Sequence, residues 1–109
     1  MKKNFFPINL KKIRTHWKRT AGVKQDGFAG YTRTMMQTYE DYRVDAPFDL
    51  VLFISENTGI PIGDLITREI LIEEIPPAPA GINMEKKDME ERKYERIKDF
   101  LKKDAVSDD

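Results

Sequence analysis

The sequence predicts an all-α protein: five short helices, a proline-rich connector and a longer terminal helix. Three observations lead there. Apolar residues recur at helical spacing, as Leu10, Ile13 and Trp17 do at i, i+3 and i+7. Pro47, Gly59 and Pro61 fall at borders between such stripes, where they start or stop helices. The stretch 84–103 is dense in opposite charges three and four residues apart, Lys87 with Glu91 and Glu95 with Lys98 among them.

The first helix is expected from about Asn9 to Arg19, with Asn9 as its N-cap and Leu10, Ile13 and Trp17 buried. Ala21 and Gly22 break the chain, and a short second helix is expected over Lys24 to Ala29. Gly27 and Gly30 weaken it, since a glycine inside a helix costs about 1 kcal/mol against alanine. Thr32 can cap a third helix reaching about Tyr42, whose inner face is Met35 or Met36 with Tyr39. Pro47 opens a fourth, the most apolar, carrying Leu50, Val51, Leu52 and Ile54 and closed by Gly59. Pro61 opens a fifth, about Ile62 to Glu69, contributing Ile62, Leu65 and Ile66.

Pro76, Pro77 and Pro79 rule out a helix through Leu71–Ile82, which should be an extended or polyproline-like, semi-rigid spacer. Ile72 and Ile75 could pack there as a short strand or against the domain. Asn83 is placed to cap the terminal helix, whose narrow apolar stripe is Met89, Tyr94, Ile97, Phe100 and Leu101. The expected organisation is a domain over 1–70, a linker over 71–82, a charged amphipathic helix over 83–104 and a disordered tail over 105–109.

The chain has 109 residues and 39% apolar side chains, enough for a modest core that a partner subunit could complete. Its formal charge is zero, yet the charge is polarised. Residues 1–39 carry Lys2, Lys3, Lys11, Lys12, Arg14, Lys18, Arg19, Lys24 and Arg33 against one acid, Asp26, for a net +8. Residues 40–82 are net −7 and the remainder net −1. One end therefore suits a polyanion.

Other chemistries find little support. There is no cysteine, which excludes disulfides and thiolate-bound metals. His16 is the only histidine and lacks a histidine partner for a metal site or relay. No phosphate-cradling glycine loop, nucleophile elbow or histidine–carboxylate ligand spacing appears, so no enzyme, cofactor or small-molecule substrate is expected. The apolar run at the start is too short for a signal peptide and nothing approaches a membrane span; a cytoplasmic protein is the expectation.

Five phrases then occur in a telling order: NLKKIR (Asn9–Arg14), VKQDGFA (Val23–Ala29), TRTMMQTYE (Thr32–Glu40), the Pro47 position, and ISENTGIPIGDLI (Ile54–Ile66). Asn9–Ile70 thereby resembles the Cro/lambda-repressor-like (XRE-type) helix-turn-helix DNA-binding domains, over somewhat more than half of the chain. The resemblance implies a five-helix DNA-binding fold in which the second phrase opens helix 2 and the third is the recognition helix, ending in an aromatic–Glu pair. It departs from the family in one place. Only Gly30 and Tyr31 separate Ala29 from Thr32, so helix 2 must lose nearly a turn or the turn must be rebuilt.

In such domains the start of the recognition helix enters the major groove and needs side chains that reach base edges without clashing. Thr32, Arg33 and Thr34 fit that start, with Gln37 and Thr38 one turn on. Arg33 could pair bidentately with guanine, and Gln37 with adenine. Gln25 would meet a phosphate, helped by a helix N-terminus, with Lys24 beside it. Lys11, Lys12, Arg14, Lys18 and Arg19 are candidates for sequence-independent attraction. Glu40 and Asp41 would oppose DNA and are expected to turn away. Met36, Tyr39 and Trp17 read as packing.

The expected function is a sequence-specific, repressor-like transcriptional regulator of bacterial or phage type, bound to double-stranded DNA as a homodimer. Two half-sites about 34 Å apart would match a two-fold axis, and the terminal helix could pair across it or fold back on the fourth and fifth helices. The rival is a protein-interaction or dimerisation module on a degenerate helix-turn-helix scaffold without strong DNA binding. The truncated second helix, Gly27, the acidic second block and the charged terminal helix all point to it.

Overall fold

Pro7 is tolerated in the first turn of a helix, where its missing N–H has no intrahelical use. In the computed structural model, which describes residues 4–83, 94–95 and 97–102, α1 accordingly runs Phe6–Ala21, a turn ahead of expectation. The Asn4 side chain accepts the Phe6 N–H at 3.0 Å. Asn9 is thus not the N-cap. It lies within α1, fully buried. Leu10, Ile13 and Trp17 form the buried stripe that the periodicity predicts.

The expected second helix does not form. After Gly22 the chain makes a compact loop in which Gly27, Ala29 and Gly30 have φ of +81°, +53° and +87°. Three left-handed residues in four cannot sit in a right-handed helix. The loop closes on itself instead, with Gly27 N–H donating to Tyr31 O at 2.8 Å and Tyr31 N–H to Phe28 O at 2.9 Å. Its product is the burial of Phe28, stacked on Trp17 with ring centres 6.1 Å apart and edge-on to Phe53 at 6.2 Å.

Thr32 caps α2 (Arg33–Glu40), its hydroxyl accepting the Met35 N–H at 3.2 Å. Met36 and Tyr39 face the core while Met35 is exposed, and the helix stops before Tyr42, whose φ is +64°. α3 (Phe48–Thr58) follows Pro47 and ends at Gly59 in the left-handed conformation. α4 is Ile62–Thr67, shorter than expected because Arg68 is extended. Leu65 enters the core and Ile66 does not.

Asn9 explains how α4 is held. Its amide donates to Leu65 O at 2.9 Å and Arg68 O at 2.8 Å, and its oxygen accepts the Ile70 N–H at 3.0 Å. The carbonyls that α4 leaves without intrahelical partners are satisfied from α1.

The proline-rich segment packs on the domain rather than acting as a spacer. A 3-10 turn at Ile72–Glu74 precedes Ile75, which is buried, as is Ile82. The Trp17 indole N–H donates to Pro76 O at 2.8 Å. Ile72 itself is exposed. The architecture is all-α, with no β-strand among the described residues beyond two isolated bridges, Phe28 to Tyr31 and Phe28 to Asn83. No helix among them is long and apolar enough to cross a membrane.

Residues 97–102 are helical, and the Phe100 ring packs edge-on against Phe48 at 5.4 Å, a contact with the start of α3. Met89 and the tail expected to be disordered lie outside the described residues.

Candidate nucleic-acid interface

α2 divides into two faces by the spacing of its residues. Met36, Tyr39 and Glu40 are buried, while Arg33, Thr34 and Gln37 are exposed and Thr38 is half-buried. Residues three and four apart share a helix face, so Arg33, Thr34, Gln37 and Thr38 make one polar edge. Thr38 spends its hydroxyl on Thr34 O at 2.9 Å. Thr32 at the head of this edge is exposed, its hydroxyl engaged as the cap.

Glu40 does not accompany them. Its carboxylate receives the Arg14 guanidinium at 2.6 and 2.9 Å, a bidentate pair with Glu40 nearly enclosed. The pair pins the end of α2 to the middle of α1 and removes the carboxylate from the exposed edge. Beside it the Tyr39 ring meets Tyr31 edge-on at 5.6 Å. Burial raises the Tyr39 phenol above its usual range, and the Asp49 charge adds to the rise. Tyr31 donates its hydroxyl to buried Asp49 at 2.7 Å, tying the loop to the first turn of α3.

The same pairings sort the cations of the amino-terminal block. Arg14 is committed to Glu40, and Lys12 to Glu69 at 2.6 Å and Ile70 O at 2.8 Å. Both of these cations are thus drawn to internal partners. Among the described residues Lys18, Lys24 and Arg33 make no ion pair, and all three are exposed. They line one concavity of about 330 Å³ together with Arg14, Gln25 and Asp26. Lys24, Gln25 and Arg33 are therefore brought together, whereas Thr34, Gln37 and Thr38 continue along α2 outside it.

Gln25 is half-buried in the loop and has no helix N-terminus behind it, since the expected second helix is absent. The nearest helix start is that of α2, and Asp26 already occupies it, its carboxylate accepting the Arg33 N–H at 3.1 Å. A carboxylate there complements the partial positive charge of the helix end. Asp26 is also the sole acid of residues 1–39, the one signal that could have marked it.

The sequence offers Asn83 as a cap for the terminal helix, the start of which lies outside the described residues; its tie to the loop was not foreseen. Its amide donates to Lys24 O at 2.7 Å and Asp26 O at 3.1 Å, and its oxygen accepts the Lys24 N–H at 2.9 Å. With partners more than fifty residues away along the chain, no local pattern could have found it.

His16 is half-buried on α1. No cluster of three or more potential metal ligands occurs among the described residues. Comparisons with protein-family models, with curated proteins and with solved structures returned no match.

Proposed function

We propose that this chain is a sequence-dependent DNA-binding regulator in which α2 reads the major groove of duplex DNA. One observation carries the reading. The exposed polar edge of α2 begins beside Lys18, Lys24 and Arg33, while Glu40, the acid at the end of that helix, is withdrawn into its pair with Arg14. Cations at the mouth supply backbone attraction, and Arg33 and Gln37 supply donors and acceptors for base edges.

The Cro/lambda-repressor-like resemblance supports the same assignment, with the compact loop 22–32 standing where that family has helix 2. In this reading Lys24 and Gln25 grip phosphate from the loop, Thr32, Arg33, Thr34, Gln37 and Thr38 face the bases, and a homodimer supplies two half-sites. The aromatic–Glu ending of the reading helix has a physical role here: Tyr39 and Glu40 both lock α2 to the domain.

The missing second helix favours a second reading, a protein-interaction module that has lost duplex affinity. Selection of bound sequences from a random duplex pool, with gel shifts at two salt concentrations, separates them. Salt-sensitive binding and an enriched two-fold symmetric motif are expected of the regulator. No retention of any duplex at physiological salt would leave the interaction module standing.

A further inference from the structure

The loop that carries Lys24 and Gln25 has no helix to stiffen it. Among the described residues its backbone meets a distant segment at the end of the proline-rich segment, where Ala29 N–H donates to Ile82 O at 2.8 Å within the isolated bridge between Phe28 and Asn83. The Asn83 side chain then grips both backbone groups of Lys24 and the Asp26 carbonyl, three bonds between 2.7 and 3.1 Å. A side-chain amide donating twice and accepting once mimics one more rung of backbone pairing. Ile82, buried in the core, fixes the backbone from which Asn83 projects.

From this geometry we infer that Asn83 is a positioning residue for the nucleic-acid interface, holding Lys24 and Gln25 beside Arg33 in the arrangement that accepts phosphate. The inference rests on the DNA-binding reading. Asn83 contacts no nucleic acid. It acts by setting the path of residues 24–26, and so makes the interface a composite of the amino-terminal loop and a segment that the sequence marks as linker. Because Asn83 is exposed, its replacement leaves the core intact.

The test is a comparison of full-length wild type, Asn83→Ala and Asn83→Ser on one duplex over a salt series. Asn83→Ala should weaken binding about fivefold to tenfold and lower the slope of log K against log salt by about one, the signature of a lost phosphate contact. Asn83→Ser, which keeps an oxygen to accept the Lys24 N–H, should fall between. In a Lys24→Ala/Gln25→Ala background, Asn83→Ala should change affinity by less than about twofold, because the groups it positions are gone. Amide exchange at Lys24 should quicken in Asn83→Ala whether or not DNA is present. Wild-type binding with an unchanged Asn83→Ala affinity and salt slope overturns the inference alone. Equal losses in both backgrounds also overturn it, because they assign Asn83 a purely structural effect. Failure of the wild type to bind any duplex overturns the functional reading and the inference with it.

Discussion

Asn9 shows how much a single polar side chain can carry when it is buried. All three of its hydrogen bonds end on backbone that α4 and the following turn leave unpaired. Asn9→Ala strands two carbonyls and one N–H, and an unsatisfied buried group costs about 1–3 kcal/mol. The Leu65 carbonyl and the Ile70 N–H are the fully buried two of the three, so urea unfolding should show a loss of about 2–6 kcal/mol, with an unchanged m-value because the surface exposed on unfolding is nearly the same. At the exposed edge the effects should be on binding instead. Arg33→Ala and Gln37→Ala should each relax preference at one base position by about 1–3 kcal/mol, and Lys24→Ala should weaken all sequences alike. If the two α2 variants lower affinity for selected and random duplexes by equal factors, base reading at those positions is wrong. Arg33 and Gln37 could be chosen from the sequence because exposure on a helix follows from spacing. The role of Asn9 could not, because a buried asparagine and a capping asparagine look alike without a tertiary partner.

The helices α2 and α4 are short, and each is tied down by a side-chain device rather than by its own length. α2 has eight residues, too few to persist alone in water, and depends on its capping Thr32 and on Arg14–Glu40. Removing one partner of an enclosed ion pair leaves a charge uncompensated, at a cost of about 3–5 kcal/mol. Glu40→Ala should be destabilising on that scale, whereas Arg14→Met combined with Glu40→Leu should recover most of the loss, a coupling that a thermodynamic double-mutant cycle measures. The end of α4 offers a pH test. The Glu74 carboxylate receives the Arg68 guanidinium at 2.7 and 2.9 Å and the Leu71 N–H at 2.7 Å. The Arg68 hydrogen bonds lead, with the Leu71 N–H next, in holding its pKa down to about 2 from 4.5. A depressed carboxylate stabilises the fold above its unfolded pKa and loses that contribution as pH falls from 4.5 toward 2. The melting temperatures of wild type and Glu74→Gln should therefore differ near pH 7 and converge by about pH 2. A gap that stays constant over that range would remove the pair from the stability of the turn.

At the scale of the molecule, the boundary between domain and linker is not where composition puts it. Ile75 and Ile82 belong to the same core as Trp17 and Phe28, and Trp17 is hydrogen-bonded to Pro76. A chain cut after Leu71 should lose the cooperative melt of the full protein, with the emission of its single tryptophan shifted toward that of an exposed indole. Retention of a sharp transition and a buried emission spectrum would restore the linker reading. The net +8 of residues 1–39 is likewise smaller in effect than the count suggests, because Lys12 and Arg14 are consumed by internal partners.

What the sequence determined by itself was what depends on near neighbours: the α1 stripe, the Thr32 cap, the Gly59 stop, the inward Met36 and Tyr39, and the polarity of α2. Spacing, caps and prolines act within a turn or two, so they are visible in one dimension. Only the tertiary structure decided that residues 22–32 form a loop around Phe28, that Glu40 withdraws to Arg14, and that the proline-rich segment closes over Trp17 and holds Lys24 through Asn83. Each of these depends on groups far apart in the chain satisfying one another, and the free energy of such a pairing belongs to neither partner's local sequence.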